Sequence, residues 1–233
     1  MWRVVVLVAV LVAGCGIPRD TDGTLDRVRG GVLRVGVAEN PPWTVVGGPG
    51  EVSGAEAELV ERLVDELGAR VEWHPGTESE LMAALEERRL DLVVGGLADD
   101  VPWTEHAALT RPYATTRVVV AAIDGVDVPP ELSGERVAAR SGTAEAAALA
   151  DEGAEVVPVG DAAEARNLPV AVEHWRLAAL GLNAGEHVLL ERRHVWALPL
   201  GENGWLVEVE RFLLGVPDGE VDHLLADVGR SGS

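Results

Sequence analysis

The sequence contains no lysine and no glutamine, a single cysteine, and only one tyrosine and one phenylalanine against seven tryptophans. Without lysine there is no Walker P-loop, no kinase-type catalytic lysine, no Schiff-base chemistry and no Ser-Lys hydrolase. With one cysteine there is no intrachain disulfide and no paired-thiol chemistry. The 19 basic residues are all arginine and face 39 acidic ones, a net charge of −20. Such a chain has no basic surface with which to neutralise phosphates, which excludes nucleic acid as a partner. No Gly-x-Ser-x-Gly elbow occurs. His74, His106, His174, His187, His194 and His223 include no pair four residues apart, so no zinc pattern and no cofactor site is expected. The acidic pairs Asp99-Asp100 and Glu86-Glu87 read as solvated loop and helix faces. No apolar run is long enough for a permanent bilayer-spanning helix.

What is present begins with a leader. Met1-Trp2-Arg3 and the apolar run Val4 to Val12 form the charged and hydrophobic regions of a signal peptide over residues 1–14. The run ends in Leu11-Val12-Ala13-Gly14-Cys15, which resembles a lipobox, the signal for attaching diacylglycerol to the cysteine. Residues 15–31, rich in Gly, Asp, Thr and Arg without apolar periodicity, read as a flexible tether. The expected location is the outer side of the cell membrane, at the cell surface or in the periplasm, with a lipid anchor at Cys15.

Beyond the tether, Leu33 to Val37 alternates as a strand and Asn40-Pro41-Pro42-Trp43 breaks it. Gly54 to Leu67 places Ala57, Leu59, Val60, Leu63, Val64 and Leu67 at helical spacing, and Gly68 stops that helix. A strand at 70–73, a helix at 78–88, a strand at 90–96 and a further strand at 117–123 follow. The strand-helix alternation predicts an α/β domain with a largely parallel sheet. Asp124 to Ser133 marks a boundary. A second, smaller α/β unit then runs through a strand at 136–139, an Ala-rich helix at 143–152, a strand at 155–157 and a helix at 173–182. His194 to Pro199 reads as a strand, and helices are expected at 204–214 and 220–228. The expected division is lobe 1 from 32–119 plus 195–230 and lobe 2 from 120–194, with a cleft between them.

Several stretches together resemble a known family. Leu33-Arg34-Val35-Gly36-Val37 with Pro41-Pro42-Trp43 is similar to its opening strand and aromatic loop, and Gly54-Ala55-Glu56-Ala57-Glu58-Leu59 to its Gly-Phe-Asp-Val-Asp-Leu helix start. Leu85 to Gly96, Pro112-Tyr113, and Leu132-Ser133-Gly134-Glu135-Arg136-Val137 through Ser141-Gly142-Thr143 match further pieces in order. The family is the type 2 periplasmic solute-binding proteins, family 3, which serve polar amino acid importers. The resemblance covers roughly residues 32 to 230. It implies an α/β, two-lobed Venus-flytrap fold with a hinge of two crossover strands. It also implies a monomeric receptor that takes a small-molecule solute, closes on it without catalysis, and docks on an ABC permease.

Against the family's pattern, Trp103 stands where an arginine grips a ligand carboxylate, and Ala98 and Asp100 stand where threonines would be. An indole cannot replace a guanidinium fork. Arg111 or Arg140 could supply another grip. In lobe 2, Glu173 is the counterpart of the carboxylate that meets a ligand ammonium. Gly142-Thr143, at a helix start, could hold a polar group or simply cap the helix. Trp43, Trp103, Tyr113 and Trp175, with Glu39 or Glu173, suggest a negative cleft with aromatic walls suited to a cationic solute. Trp73, Trp196 and Trp205 read as core residues. Three readings of the ligand stay open: a cation, a carboxylate held differently, and none. A regulatory subunit of a membrane protein and a secreted cyclohexadienyl dehydratase-like enzyme are the rival functions.

Overall fold

A computed structural model describes residues 20–48, 50–100 and 105–231. The signal peptide, Cys15 and Trp103 lie outside the described residues. In chain order the elements are α1 (Thr24–Val28), β1 (Val32–Val37), β2 (Val45–Val46), β3 (Val52–Ser53), α2 (Ala55–Leu67), β4 (Arg70–Pro75), α3 (Glu78–Glu86), β5 (Leu92–Val94), β6 (Ala108–Leu109) and β7 (Ala114–Ala122). They continue with β8 (Arg136–Arg140), α4 (Ala144–Asp151), β9 (Glu155–Val159), β10 (Val170–Glu173), α5 (Leu177–Leu180), β11 (Asn183–His194), β12 (Ala197–Leu198), α6 (Asn203–Gly215) and α7 (Glu220–Ser231).

Two five-stranded sheets result, β4-β1-β5-β12-β6 and β11-β7-β10-β8-β9. In the first, β1 pairs in parallel with β4 and β5 through the α2 and α3 crossovers, and β12 joins antiparallel from the far end of the chain. Leu33, Val35 and Val37 of β1 are fully buried against the side formed by α2, α6 and α7, in a core with Leu59, Trp196, Trp205 and Leu225. The other face packs on α3. There a Cβ on Gly36 would come within 2.7 Å of Leu90 and 2.9 Å of Leu81, so only glycine lets α3 approach. The two faces therefore bury separate clusters, and the central β5 is a fully buried apolar run because both of its sides are covered. Trp196 and Trp205, read as core from sequence, are fully buried.

The second sheet buries Val118, Val120, Val137 and Leu149 on one face and Val119, Ala121, Val170 and Val172 on the other. Its longest strands, β7 and β11, form an antiparallel ribbon that runs back to the first sheet, from Asn183↔Ala122 to His194↔Ala114. The ribbon's end is bridged to Ala98.

Three expectations change. Residues 20–31, read as part of the tether, are folded from Asp20 onward. Val28 is fully buried in the first core, Asp20 accepts from the Trp205 and Leu25 backbone N–H groups, and Glu202 accepts from those of Asp22 and Thr24. A five-residue helix shows no periodicity, and one of its two capping carboxylates, Glu202, comes from the far end of the chain. The helix expected at 173–182 is a 3-10 turn at His174–Arg176 followed by four residues of α5. The strand expected at 194–199 is divided: His194 ends β11, which starts eleven residues earlier in the second sheet, and Ala197–Leu198 form β12 in the first. β11 is the strand that carries no clear signal. Its Glu and Arg residues suit an edge strand with exposed faces and weaken the sequence signal, and the apolar β7 beside it decides the conformation.

Candidate functional site

The loops that follow β1 and β5 in the first sheet, and β8 and β10 in the second, open on one cleft of about 940 Å³. Open α/β sheets place ligand sites at the carboxyl ends of their strands. The first sheet supplies Asn40, Pro41, Pro42, Trp43, Gly96 and Ala98. The second supplies Arg140, Thr143, Glu145, Asp161, Glu173, Trp175 and Arg176, with Arg192 and His194 from the β7–β11 ribbon.

The floor is built on Glu56, a fully buried carboxylate at the start of α2. It accepts from the backbone N–H groups of Gly95 and Gly96 (2.7 Å each), the Tyr113 hydroxyl (2.5 Å) and Trp196 Nε1 (3.0 Å). Burial pushes Glu56 above the usual carboxylate range and these four donors pull it back. Burial, with the same carboxylate beside it, drives the Tyr113 phenol well above its ordinary value. Gly96 has φ +67, and a Cβ there would strike Asn40 Nδ2 and the Trp43 ring at 2.7 Å, so the loop passes under the indole only as glycine. His194 stacks on Trp43 with centroids 4.0 Å apart. Its Nδ1 lies 3.2 Å from the Gly96 carbonyl, which can only accept, so Nδ1 carries the proton and Nε2 accepts from Thr116 Oγ1 at 2.9 Å. Burial lowers the His194 pKa to about 4, so the ring is neutral at pH 7.

The opposite wall carries the charge. Asp161 accepts from Arg176 Nη2 through both oxygens (3.1 and 2.9 Å) and from Ala163 N. Burial pushes its pKa up, and these bonds outweigh that and hold it below the ordinary value. Arg140 forms no ion pair among the described residues. Glu173 stands at the end of β10 with Oε1 3.7 Å from Arg192 and Oε2 buried without a hydrogen-bond partner among the described residues. Burial raises its pKa, and the nearby Arg192 lowers it in part. Trp175 is positioned by α7, which packs on the first core through Val221 and Leu225. A Cβ on Gly229 would stand 3.3 Å from that indole, and Asp222 accepts from His174 Nε2 at 2.9 Å.

Of the residues singled out from sequence, Trp43, Arg140, Thr143, Glu173 and Trp175 meet in the cleft. Glu39 is exposed and off its lining. Gly142 makes the left-handed turn before Thr143 but is not among the lining residues. Thr143 caps α4, its hydroxyl accepting from Ala146 N and donating to the Arg140 carbonyl. Tyr113 is not a wall: it packs beneath Trp43 with its hydroxyl spent on Glu56. Trp43 itself is 7% exposed, because His194 covers one face and Tyr113 meets it edge-on. The expectation of a negative cleft is also corrected, since Arg140, Arg176 and Arg192 stand against Glu145, Asp161 and Glu173. Arg111 points away, paired with Glu210 of α6. Sequence reasoning missed Asp161, Arg176, Arg192 and His194 as cleft residues. The last two depend on the unrecognised β11, and the first two have no motif. Among the described residues no cluster could hold a metal ion.

Comparison with known proteins identifies the family and the fold. The profile of the bacterial extracellular solute-binding proteins, family 3, matches residues 33–227. A membrane-bound lytic murein transglycosylase F of Photobacterium profundum is 35% identical over 119 residues, 49% of this chain and 23% of that protein. The L-cystine-binding protein TcyJ of Escherichia coli is 26% identical over 145 residues, 59% of this chain and 54% of that protein. The chain thus spans about a quarter of the first relative's length and about half of the second's. In fold it is similar to the unliganded, open L-cystine solute receptor of Neisseria gonorrhoeae, with TM-score 0.67, 16% identity, and 89% and 95% of the two chains covered. It is equally similar to an ancestral cationic amino acid solute-binding protein, with TM-score 0.67, 21% identity, and 88% and 97% covered.

Proposed function

Because the chain belongs to the bacterial extracellular solute-binding proteins, family 3, we propose that it is an extracytoplasmic receptor, lipid-anchored through Cys15, that captures a small polar solute and delivers it to an ABC permease without catalysis. The lobes are 32–119 plus 195–230, with the folded residues 20–31 packed on the first core, and 120–194, and the solute lies in the cleft between them. The observation that carries this reading is Glu173, a residue of the cleft lining with one carboxylate oxygen buried without a hydrogen-bond partner among the described residues, in a cleft that also holds Arg140, which forms no ion pair among them. A buried acceptor with no donor costs about 1–3 kcal/mol, which an incoming cationic group recovers. An anionic group on the same solute meets Arg140. The ligand class supported best is therefore a solute with both charges.

Two charge-assisted hydrogen bonds contribute about 1.5–3 kcal/mol each and fall short of the roughly 8 kcal/mol of a micromolar complex. The remainder comes from apolar contact with Pro41, Pro42 and Trp175 as the lobes close. A solute that touches both lobes favours the closed form by its differential affinity alone.

Thermal-shift screening tests the reading, with a panel of neutral, cationic and dicarboxylic amino acids, betaines, polyamines and simple carboxylates. A true ligand at a hundred times its Kd adds about 2.7 kcal/mol, a rise of roughly 5–10 °C for a chain of this size. Glu173→Gln should weaken that ligand about ten-fold or more by calorimetry. No stabilisation anywhere in the panel would favour a regulatory subunit, turnover of a cyclohexadienyl acid would establish an enzyme, and full affinity in Glu173→Gln would remove Glu173 from the site.

A further inference from the structure

Four large apolar side chains stand out to solvent among the described residues: Val188 (53%), Leu200 (44%), Val207 (52%) and Leu214 (66%). Single exposed apolar residues are ordinary. Three of these four, however, lie on the β12–α6 loop and on α6. The exposed positions Asn203, Val207, Arg211 and Leu214 recur at helical spacing on one face of α6, while Trp205, Val209, Phe212 and Leu213 are buried in the core on the other. In a chain of net charge −20 this stripe carries no carboxylate. The flanking acids are already engaged, Glu208 with Arg29 and Arg211, and Glu210 with Arg111.

The start of α6 is also where the chain's N-terminal segment is fastened. Trp205 N donates to Asp20 Oδ1, Asp20 bridges to Glu202, and Thr21 N donates to the Gly201 carbonyl. Only residues 16–19 separate this point from Cys15. Fully extended, that leash reaches about 17 Å, shorter than the roughly 20 Å length of α6.

We propose that the exposed face of α6, together with Leu200, rests on the lipid bilayer and is the membrane-facing side of the protein. The inference rests on the reading that Cys15 carries the lipid. The leash holds this one face at the membrane at high effective concentration, so a contact too weak to retain a free protein suffices for an anchored one. The absence of free carboxylates on the stripe removes repulsion from anionic headgroups. With the α6 side held, the second sheet carries the closing motion.

The test uses the full chain acylated at Cys15, confirmed by the mass of its N-terminal peptide, in vesicles of phosphatidylcholine and phosphatidylglycerol. An environment-sensitive fluorophore is placed by Asn203→Cys on the α6 face or, as control, by Val188→Cys on β11. The expected result is a blue shift at position 203, quenched by doxyl lipids, with neither effect at 188. Adding Val207→Glu and Leu214→Glu should abolish the shift at 203 while vesicle attachment and the melting temperature are kept. A water-like signal at 203 on acylated, vesicle-bound protein overturns the proposal. A shift at 203 that rises with protein concentration without vesicles overturns it in favour of a second copy of the chain, and one that needs a co-reconstituted permease overturns it in favour of that partner. An unacylated N-terminal peptide overturns it at the anchor instead of the face, and leaves the cleft reading untouched.

Discussion

Lowering the pH from 7 towards 4 should destabilise the folded chain through His194. The ring is 3% exposed, stacked on Trp43, and committed as a donor to the Gly96 carbonyl and an acceptor from Thr116. Protonation would put a second N–H on Nε2 where the threonine hydroxyl now donates, in a site that cannot solvate the charge. Burial accordingly lowers its pKa from 6.5 to about 4. Between those values the unfolded chain binds the proton and the folded chain does not. The stability is therefore fully present above pH 6.5 and is lost as the pH falls towards 4. The full effect is about 3 kcal/mol, of which about 2 kcal/mol is gone by pH 5. The assay is urea unfolding at pH 7.5, 6.5, 5.5 and 5 for the native chain and for His194→Asn, whose amide can still donate towards Gly96 but does not titrate. Glu56 and Glu173, raised by burial, act with the opposite sign, but they are common to both proteins and cancel in the difference. A difference that stays flat from pH 7.5 to 5, or that changes in favour of the native chain on acidification, would refute the assigned tautomer and its burial.

Two further outcomes test the scaffold. Glu56→Ala leaves four donors without an acceptor beneath the cleft, and with non-additive costs of about 1–3 kcal/mol each it should lower stability by about 4 kcal/mol, a fall of roughly 8–16 °C in Tm. Glu56→Gln should recover less than half of this, because its NH2 group faces donors. Burial pushes Glu202 up, but the Thr24 and Asp22 N–H groups outweigh it and hold it below the usual range. Glu202→Ala should therefore cost about 2 kcal/mol and open residues 20–31 to limited proteolysis, whereas an unchanged cleavage pattern would show that Asp20 alone fastens the segment.

Much of the first sheet was legible before any coordinates. Leu33 to Val37, the helix expected from Gly54 to Leu67 and the helix expected at 78–88 each carry a local signal: β-branched alternation, an apolar stripe with a glycine stop, and the inward spacing of Leu81, Met82 and Leu85. The cleft was legible only where a residue sits beside such a signal or in a stretch that resembles the family. Trp43 follows the Pro-Pro break, Thr143 caps α4, and Glu173 was singled out only through the resemblance, its place at the end of β10 being read as a helix start. Tyr113 was misplaced because nothing local shows that Glu56, from another element, takes its hydroxyl.

By itself, therefore, the sequence determined the alternation of elements, the absence of lysine, thiol and elbow chemistries, the resemblance to a two-lobed receptor, and a carboxylate at position 173. The elements and the excluded chemistries are local or follow from composition, and the receptor fold and the role of position 173 come from the resemblance alone. Tertiary structure alone decided that β11 returns along β7 and brings Arg192 and His194 into the cleft. It also decided that three arginines offset the acids there, that Trp43 is covered, and that Asp20 is fastened to α6. Each of these joins residues far apart in the chain, and the burial that sets their charge and exposure exists only once the two sheets and their helices have packed.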